Sequence, residues 1–168
     1  MQRRTLLKLG LVSGTVLALA GGAAMLVQPG LVQRRLTDAG RALFIGVGRA
    51  ILQGTLPPDP AEQRQALEGM ADRVDILARN LPPHVVAELS QLVGLLGTSA
   101  GRVALAGLST GWLEAEPEQV AAALNDMRYS RLALRQQAYQ ALHEIVGGAY
   151  FSDETTWAVV GYPGPQDI

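Results

Sequence analysis

Residues 59–80 read DPAEQRQALEGMADRVDILARN and carry the clearest helical pattern in the chain. Apolar residues recur there at three- and four-residue spacing, which places them on one face of an α-helix. These apolar residues are Leu67, Met70, Ala71, Val74, Leu77 and Ala78. Most of the remaining positions are charged or polar. The stretch therefore predicts an amphipathic helix that buries one face against other elements.

Both ends of this helix are marked in the sequence. Asp59 before Pro60 is typical of an N-cap followed by the first helical position. At the other end, Pro82 and Pro83 stop the helix, because proline cannot continue the backbone hydrogen-bond ladder. The same proline pair opens a further helix. Its predicted inward face consists of Val85, Val86, Leu89, Leu92, Val93 and Leu96.

Helical patterns also occur before and after these two predicted helices. Thr37 predicts the N-cap of a helix that runs to about Leu52. Gly46 and Gly48 lie inside that helix and indicate close packing against another element. Glycines between residues 94 and 101 interrupt an apolar run that ends at Leu108. That interruption predicts a kink or turn followed by a second short helix.

A last long helix is predicted from Glu116 and Pro117 to about Val146. The residues expected to supply much of its buried side are Val120, Leu124, Met127, Leu134, Ala138, Leu142 and Ile145. Gly147 and Gly148 predict the end of this helix, since glycine commonly follows a helix C-terminus. Residues 149–168 show neither helical nor strand periodicity.

These patterns predict an all-α fold, a small helical bundle with an irregular C-terminal tail rich in aromatic residues, glycine and proline. The predicted divisions are a signal or membrane-anchor helix at residues 1–30, a helical domain at 31–148 and a docking tail at 149–168. Cysteine is absent from the 168 residues, which excludes disulfides, thiolate metal sites and a cysteine nucleophile.

Charge is distributed unevenly along the chain. Residues 1–50 hold seven basic groups and one acidic group, whereas residues 51–168 hold seven basic and fourteen acidic groups. The chain has no basic stripe with interleaved aromatic residues, which is the footprint that nucleic-acid binding requires. We therefore exclude nucleic acid as the expected partner.

The N-terminus has the organisation of an export signal. Arg3 and Arg4 are followed by Leu6, Leu7 and Lys8, and residues 9–27 are uncharged. A basic segment before an apolar one is typical of a secretory signal. The twin arginine with its Leu-Leu-Lys context indicates the Tat translocase, which carries folded proteins across the bacterial inner membrane. The predicted location is the periplasm or the periplasmic face of the inner membrane.

Two fates are open for this segment. Ala18-Leu19-Ala20 has the small-x-small form of a cleavage site, and residues 22–24 offer a second candidate. The nineteen residues 9–27 are also close to the about 20 that span a bilayer as a helix. Cleavage is favoured, and a retained membrane anchor is the alternative.

The sequence offers few candidates for catalysis. His84 follows two prolines at a helix start, and His143 lies on the last predicted helix without a second histidine at metal-ligand spacing. Ser109 is the centre of a Gly-x-Ser-x-Gly pattern, but no strand alternation precedes it as in an α/β-hydrolase. We therefore assign no catalytic and no metal-binding residue.

An arginine row occurs on the last predicted helix. Arg128, Arg131 and Arg135 have three- and four-residue spacing, which would place them on one face. The commoner meaning of such a row is a solvated surface, and contact with an acidic partner is the alternative.

The C-terminal tail is the second informative region of the sequence. Four of the eight aromatic residues lie within residues 150–168, next to glycine and proline. So short a segment cannot form its own core. Its rings must pack across the helices of this domain or dock on a partner, where Trp and Tyr are effective anchors.

In its signal, its helical domain and this tail, the chain resembles the gluconate 2-dehydrogenase subunit 3 family, the small subunits of exported flavoprotein dehydrogenases. In that family an acidic and aromatic stretch and a tryptophan precede a Gly-aromatic-Pro-Gly motif. The matching positions, which the resemblance marks as partner-binding, are Tyr150, Phe151, Asp153, Trp157, Gly161, Tyr162, Pro163 and Gly164. The chain differs in being short, with no insertion between helices.

The resemblance implies a non-catalytic subunit that binds, stabilises and co-exports a large dehydrogenase subunit of the GMC (glucose–methanol–choline) class. FAD is then expected in that partner and no cofactor in this chain. A cytochrome c subunit often accepts the electrons in such complexes. One alternative is a membrane-anchored helical adaptor of a periplasmic redox complex. Another is an enzyme that uses His143 or Ser109.

Overall fold

The structure, a computed structural model, describes residues 28–164. The predicted all-α class is confirmed for these residues. The helices are α1 (Asp38–Ile51), α2 (Pro60–Asn80), α3 (Pro83–Gly97), α4 (Ser99–Ala106), α5 (Pro117–Arg128), α6 (Ala133–Phe151) and a 3₁₀ helix, η1 (Glu154–Val160). The predicted signal or anchor helix, and residues Arg3, Arg4, Leu6, Leu7 and Lys8 within it, lie outside the described residues.

The predicted helix starts are confirmed by their caps. The Thr37 hydroxyl accepts a hydrogen bond from the Gly40 amide at 3.3 Å. The Asp59 carboxylate accepts from the Ala61 and Glu62 amides at 2.8 and 3.0 Å. These side chains supply the acceptors that the first amides of a helix lack. The predicted turn between two helices after residue 94 is Thr98, which caps α4.

Helix α1 is central to the domain and packs against α2, α3, α5 and α6. Leu43, Phe44 and Val47 are fully buried on it. A Cβ atom at Gly46 would overlap the backbone of Trp112, so only glycine allows α1 and the loop before α5 to approach this closely. The close packing predicted from this glycine is confirmed.

Helix α2 buries the stripe that its sequence predicts, with one exception. Leu67, Met70 and Val74 have at most 2% of their surface exposed, whereas Leu77 is 38% exposed. Leu77 lies at the edge of the stripe, next to Ile76, which is 49% exposed. The prediction that Leu77 is buried is therefore wrong.

The predicted long helix from residue 117 to 146 is wrong. It is two helices, α5 and α6, separated by residues 129–132. The Ser130 hydroxyl accepts a hydrogen bond from the Leu132 amide at 3.1 Å, which stabilises the turn between them. The apolar spacing continues across this break, because Met127 and Leu134 both pack on the same core. The pattern therefore gave no sign of the turn.

The predicted helix end at Gly147 and Gly148 is also wrong. Helix α6 runs through both glycines to Phe151, so the predicted boundary at residue 148 falls inside a helix. Ala149 and Tyr150 are buried beyond the glycines, and their packing holds the last turn in helical form. The expectation of an irregular tail is wrong for residues 149–160, which are α-helix and then 3₁₀ helix.

A two-stranded hairpin before α1 was not predicted. Strands β1 (Leu31–Val32) and β2 (Arg35–Leu36) pair antiparallel through a turn in which Gln33 and Arg34 have φ values of 50° and 62°. The Arg34 guanidinium donates to the carbonyl oxygens of Arg79 and Leu81 at 2.9 and 3.0 Å. It thereby satisfies acceptors that the C-terminus of α2 leaves free.

Candidate functional site

The C-terminal segment, residues 149–164, is held on the domain by hydrogen bonds. The Asp153 carboxylate caps η1 by accepting from the Thr155 amide at 3.0 Å and from the Thr155 hydroxyl at 2.7 Å. Thr156 is buried, and its hydroxyl donates to the Asp153 carbonyl oxygen at 2.7 Å. The segment is therefore an ordered part of the domain.

Arg73 of α2 joins this segment to the body. Its guanidinium donates to the Ala149 carbonyl oxygen at 2.6 Å and forms an ion pair with Asp153 at 3.1 Å. Hydrogen bonds from Thr155 hold the pKa of the Asp153 carboxyl below its usual value, and Arg73 lowers it further. One arginine thus binds both the end of α6 and the cap of η1.

Trp157 organises the last residues described. Its indole N–H donates to the Phe151 carbonyl oxygen at 2.8 Å, and its ring lies edge-on to Tyr162 at 5.2 Å. Gly161 has φ +68°, a value that favours glycine, and it reverses the chain after η1. Gly164 is buried, and a Cβ there would lie 3.6 Å from the Trp157 ring. The Gly-Tyr-Pro-Gly motif thus folds back onto the tryptophan.

The predicted docking residues differ in exposure: some pack inside the domain, and others are on its surface. Tyr150 is 2% exposed, and its hydroxyl donates to the Thr55 carbonyl oxygen at 3.0 Å. Burial raises the pKa of its phenol. Phe151 is half-buried against the Tyr150 ring at 5.1 Å. Tyr150 is therefore a core residue of this domain.

Two of the predicted docking residues, Tyr162 and Pro163, are exposed together with two valines. We call this exposed apolar surface the η1 edge and define it as Val159, Val160, Tyr162 and Pro163. The two valines are 55% and 53% exposed, and Tyr162 is 48% exposed. Pro163 is exposed beside them. Neither valine was among the predicted docking residues, although the Val-Val pair stands directly before the Gly-Tyr-Pro-Gly motif.

A second candidate surface, which is concave, lies between α1, α5 and α6. It is a groove of about 200 Å³ with Ile51 and Leu124 among its lining residues and with Arg128, Tyr139 and His143 at its polar side. Tyr139 and His143 are one helical turn apart, with ring centroids separated by 5.6 Å. We call this surface the α5–α6 groove.

The sequence candidates for chemistry do not come together. Ser109 is exposed after α4, and its carbonyl oxygen accepts a hydrogen bond from Arg102 at 3.5 Å. His84 is exposed on the first turn of α3, and His143 is exposed on α6. The described residues contain no group of three or more His, Asp or Glu side chains that could hold a metal ion.

The arginine row is divided by the turn between α5 and α6. Arg128 ends α5, Arg131 lies in the turn, and Arg135 is on α6, so the prediction of a single helix face is wrong. The Arg135 guanidinium donates to the Leu105 carbonyl oxygen at 2.6 Å, which ties α6 to α4. Only Arg128 and Arg131 are exposed.

Across residues 28–164, none of the helices is both long enough and apolar enough to span a bilayer. Residues 9–27, for which the sequence left cleavage or anchoring open, lie outside this range.

No protein-family model, curated protein or solved structure matches the chain.

Proposed function

We propose that this chain is a non-catalytic small subunit that binds, stabilises and co-exports, through the Tat system, an FAD-dependent dehydrogenase of the GMC class. The export role is assigned to Arg3, Arg4, Leu6, Leu7 and Lys8. The docking role is assigned to the C-terminal segment. FAD belongs to the partner under this proposal, and a cytochrome c subunit is a further partner of the complex.

The observation that carries the docking role is the η1 edge. Val159, Val160 and Tyr162 are exposed on a segment that the body holds rigidly through Arg73 and Trp157. A fixed apolar edge loses less conformational entropy on binding than a flexible one, which raises the affinity for a partner. Val159, Val160, Tyr162 and Pro163 are all exposed within five residues, and together they supply the apolar contact that a docking surface needs.

The division of the tail motif into two groups supports the same role. Asp153, Trp157, Gly161 and Gly164 make contacts within the segment and so set its shape. Val159, Val160 and Tyr162 are left to face a partner. Under this proposal Asp153, Trp157 and the two glycines of the motif shape the segment, and Tyr162 makes the contact together with the two valines before the motif.

Affinity purification from the native host tests the docking role. A tagged full chain is expected to bring down a yellow protein with the absorption of FAD. Val160→Asp is expected to lower that yield at least about tenfold, because a carboxylate would be desolvated in an apolar interface.

Val103→Asp is the matched control. Val103 lies on α4 and is 50% exposed, close to the 53% of Val160, so it tests the same change at another site. Equal yields from both variants, or a flavin-free stable monomer from the wild-type chain, would contradict the proposal.

Export is tested separately in the same host. Replacing Arg3 and Arg4 together by lysine is expected to leave both this chain and its flavoprotein in the cytoplasm, while their binding is unchanged. A flavoprotein that still reaches the periplasm would refute co-export. The mass of the exported chain distinguishes a cleaved signal from the adaptor alternative, in which residues 9–27 remain as an anchor.

A further inference from the structure

The lining of the α5–α6 groove contains an arginine and no carboxylate, in a domain whose residues 51–168 hold fourteen acidic and seven basic groups. Arg128 and His143 line the groove, whereas Asp126 and Glu144, which are near them in the chain, do not. Arg128 is exposed. The groove thus offers an exposed guanidinium to an anionic side chain.

The guanidinium of Arg128 is held in place by two aromatic rings. It lies 5.3 Å from the ring centroid of Tyr129 and 6.0 Å from that of Tyr139. The ion pairs found within residues 28–164 belong to Arg41 and Arg73, so Arg128 has no carboxylate partner there. A cation–π contact holds a guanidinium near the ring and leaves N–H groups free to bind a carboxylate.

Large apolar side chains are exposed in the turn that follows this cation. Tyr129 and Leu132 are 70% and 63% exposed, the highest values for large hydrophobic residues within residues 28–164. The groove itself is lined in part by Ile51 and Leu124 and has a volume of about 200 Å³. Small-molecule sites have volumes of about 300–1,000 Å³, so this groove fits side chains of a peptide better than a metabolite.

We infer that the α5–α6 groove is a second docking surface, which binds an acidic segment of a partner protein. A carboxylate of that segment pairs with Arg128, an adjacent apolar side chain fills the groove, and the Tyr129 ring, which lies 5.3 Å from Arg128, covers the ion pair. A volume of about 200 Å³ accommodates a single apolar side chain of a peptide, and the peptide carboxylate next to it reaches Arg128.

This surface and the η1 edge are built from different residues. The groove is lined by residues of α1, α5 and α6, and none of the η1-edge residues is among them. The inference does not depend on a flavoprotein partner. Loss of groove binding would leave the η1 edge intact, and the Val160→Asp variant would leave groove binding intact.

The test uses the isotope-labelled full chain and a synthetic pentapeptide, Glu-Leu-Asp-Phe-Glu, followed by NMR chemical-shift titration. We expect saturable shifts at Arg128, Tyr139 and His143. Arg128→Gln is expected to raise the dissociation constant at least about fivefold. Arg64→Gln, at an exposed arginine of α2, is the matched control and is expected to change it less than about twofold.

Several results would overturn the inference. The first is an absence of saturable shifts at millimolar peptide. The second is equal binding of Gln-Leu-Asn-Phe-Gln, which would show that charge plays no part. A third is equal effects of the Arg128 and Arg64 variants. Arg128-dependent binding to phosphatidylglycerol vesicles but not to the peptide would instead assign the surface to a membrane.

Discussion

Helix α2 and the C-terminal segment, residues 149–164, are held in the domain by different forces. Helix α2 buries Leu67, Met70 and Val74 almost completely in the core. In the C-terminal segment only Ala149, Tyr150, Thr156 and Gly164 are buried. This segment depends instead on hydrogen bonds made by Arg73, Asp153 and Trp157.

This difference explains why the sequence predicts helix α2 but does not predict the shape of the C-terminal segment. Apolar burial repeats along α2 with the period of a helix, so residues 59–80 display it directly. A hydrogen bond from Arg73 to Ala149 joins positions 76 residues apart and leaves no local pattern. If different forces hold the two regions, substitutions in them should change stability by different amounts.

The largest effect is expected in the core of α2. Met70→Ala is expected to lower the free energy of unfolding by about 2–5 kcal/mol, because it removes buried methylene groups and leaves a cavity. Urea unfolding followed by circular dichroism measures this. Leu77→Ala, on the same helix but exposed, should lower it by less than about 1 kcal/mol. Equal losses would mean that α2 is not held by its apolar face.

Removal of the Arg73 contacts, which connect α2 to the C-terminal segment, should lower the free energy of unfolding by an intermediate amount. Arg73→Met is expected to destabilise the domain by about 1–2 kcal/mol, since it leaves the Ala149 carbonyl without its charged donor. The Tyr162 amide, which donates to Trp157, should exchange its hydrogen faster, while amides in the core of α2 should not. Arg64→Met is the control, and an equal change there would contradict this role of Arg73.

A substitution at one of the glycines that were expected to end α6 should have a smaller effect, and it should raise the stability of the domain. Gly148→Ala is expected to stabilise the domain by about 0.4–1 kcal/mol, because a Cβ there meets no atom within 4 Å and alanine restricts the unfolded chain. Thermal unfolding measures the change. Gly46→Ala is the contrast and should destabilise, because its Cβ overlaps the Trp112 backbone. A destabilising Gly148→Ala would mean that this turn is not regular helix.

The smallest effect is a pH dependence of the C-terminal segment. The pKa of Asp153 is lowered from its usual 3.8, so its carboxylate stabilises the folded segment above pH 3.8, and this contribution is lost as pH falls through the lowered pKa. The NMR shift of the Thr155 amide should titrate with a midpoint below 3.8. Asp153→Asn should abolish the titration and Glu154→Gln should keep it. A midpoint above 3.8 would contradict the assignment.

Much of the fold is predictable from the sequence because its signals are local. The caps at Thr37 and Asp59, the proline starts and the apolar stripes act within about four residues, which is the range of helix geometry. They give the starts of α1, α2, α3 and α5. The turn after α5 was not predicted, because Met127 and Leu134 keep helical spacing across it.

Less of the candidate site is predictable. The aromatic residues and glycines of the tail draw attention to the right segment, but they do not show that Tyr150 is in the core while Val159 and Val160 are exposed. That distinction depends on which side of η1 faces the body. Similarly, the spacing of the three arginines does not reveal that one of them, Arg135, is used inside the domain.

By itself, the sequence determined the helical class, most helix starts and the buried face of α2, because each depends on residues that are neighbours in the chain. Tertiary structure alone decided where α6 ends, how the C-terminal segment is shaped and which arginines are free. Those outcomes depend on partners far apart in sequence, such as Tyr150 and Thr55, which are 95 residues apart. Only the packed domain brings such pairs together.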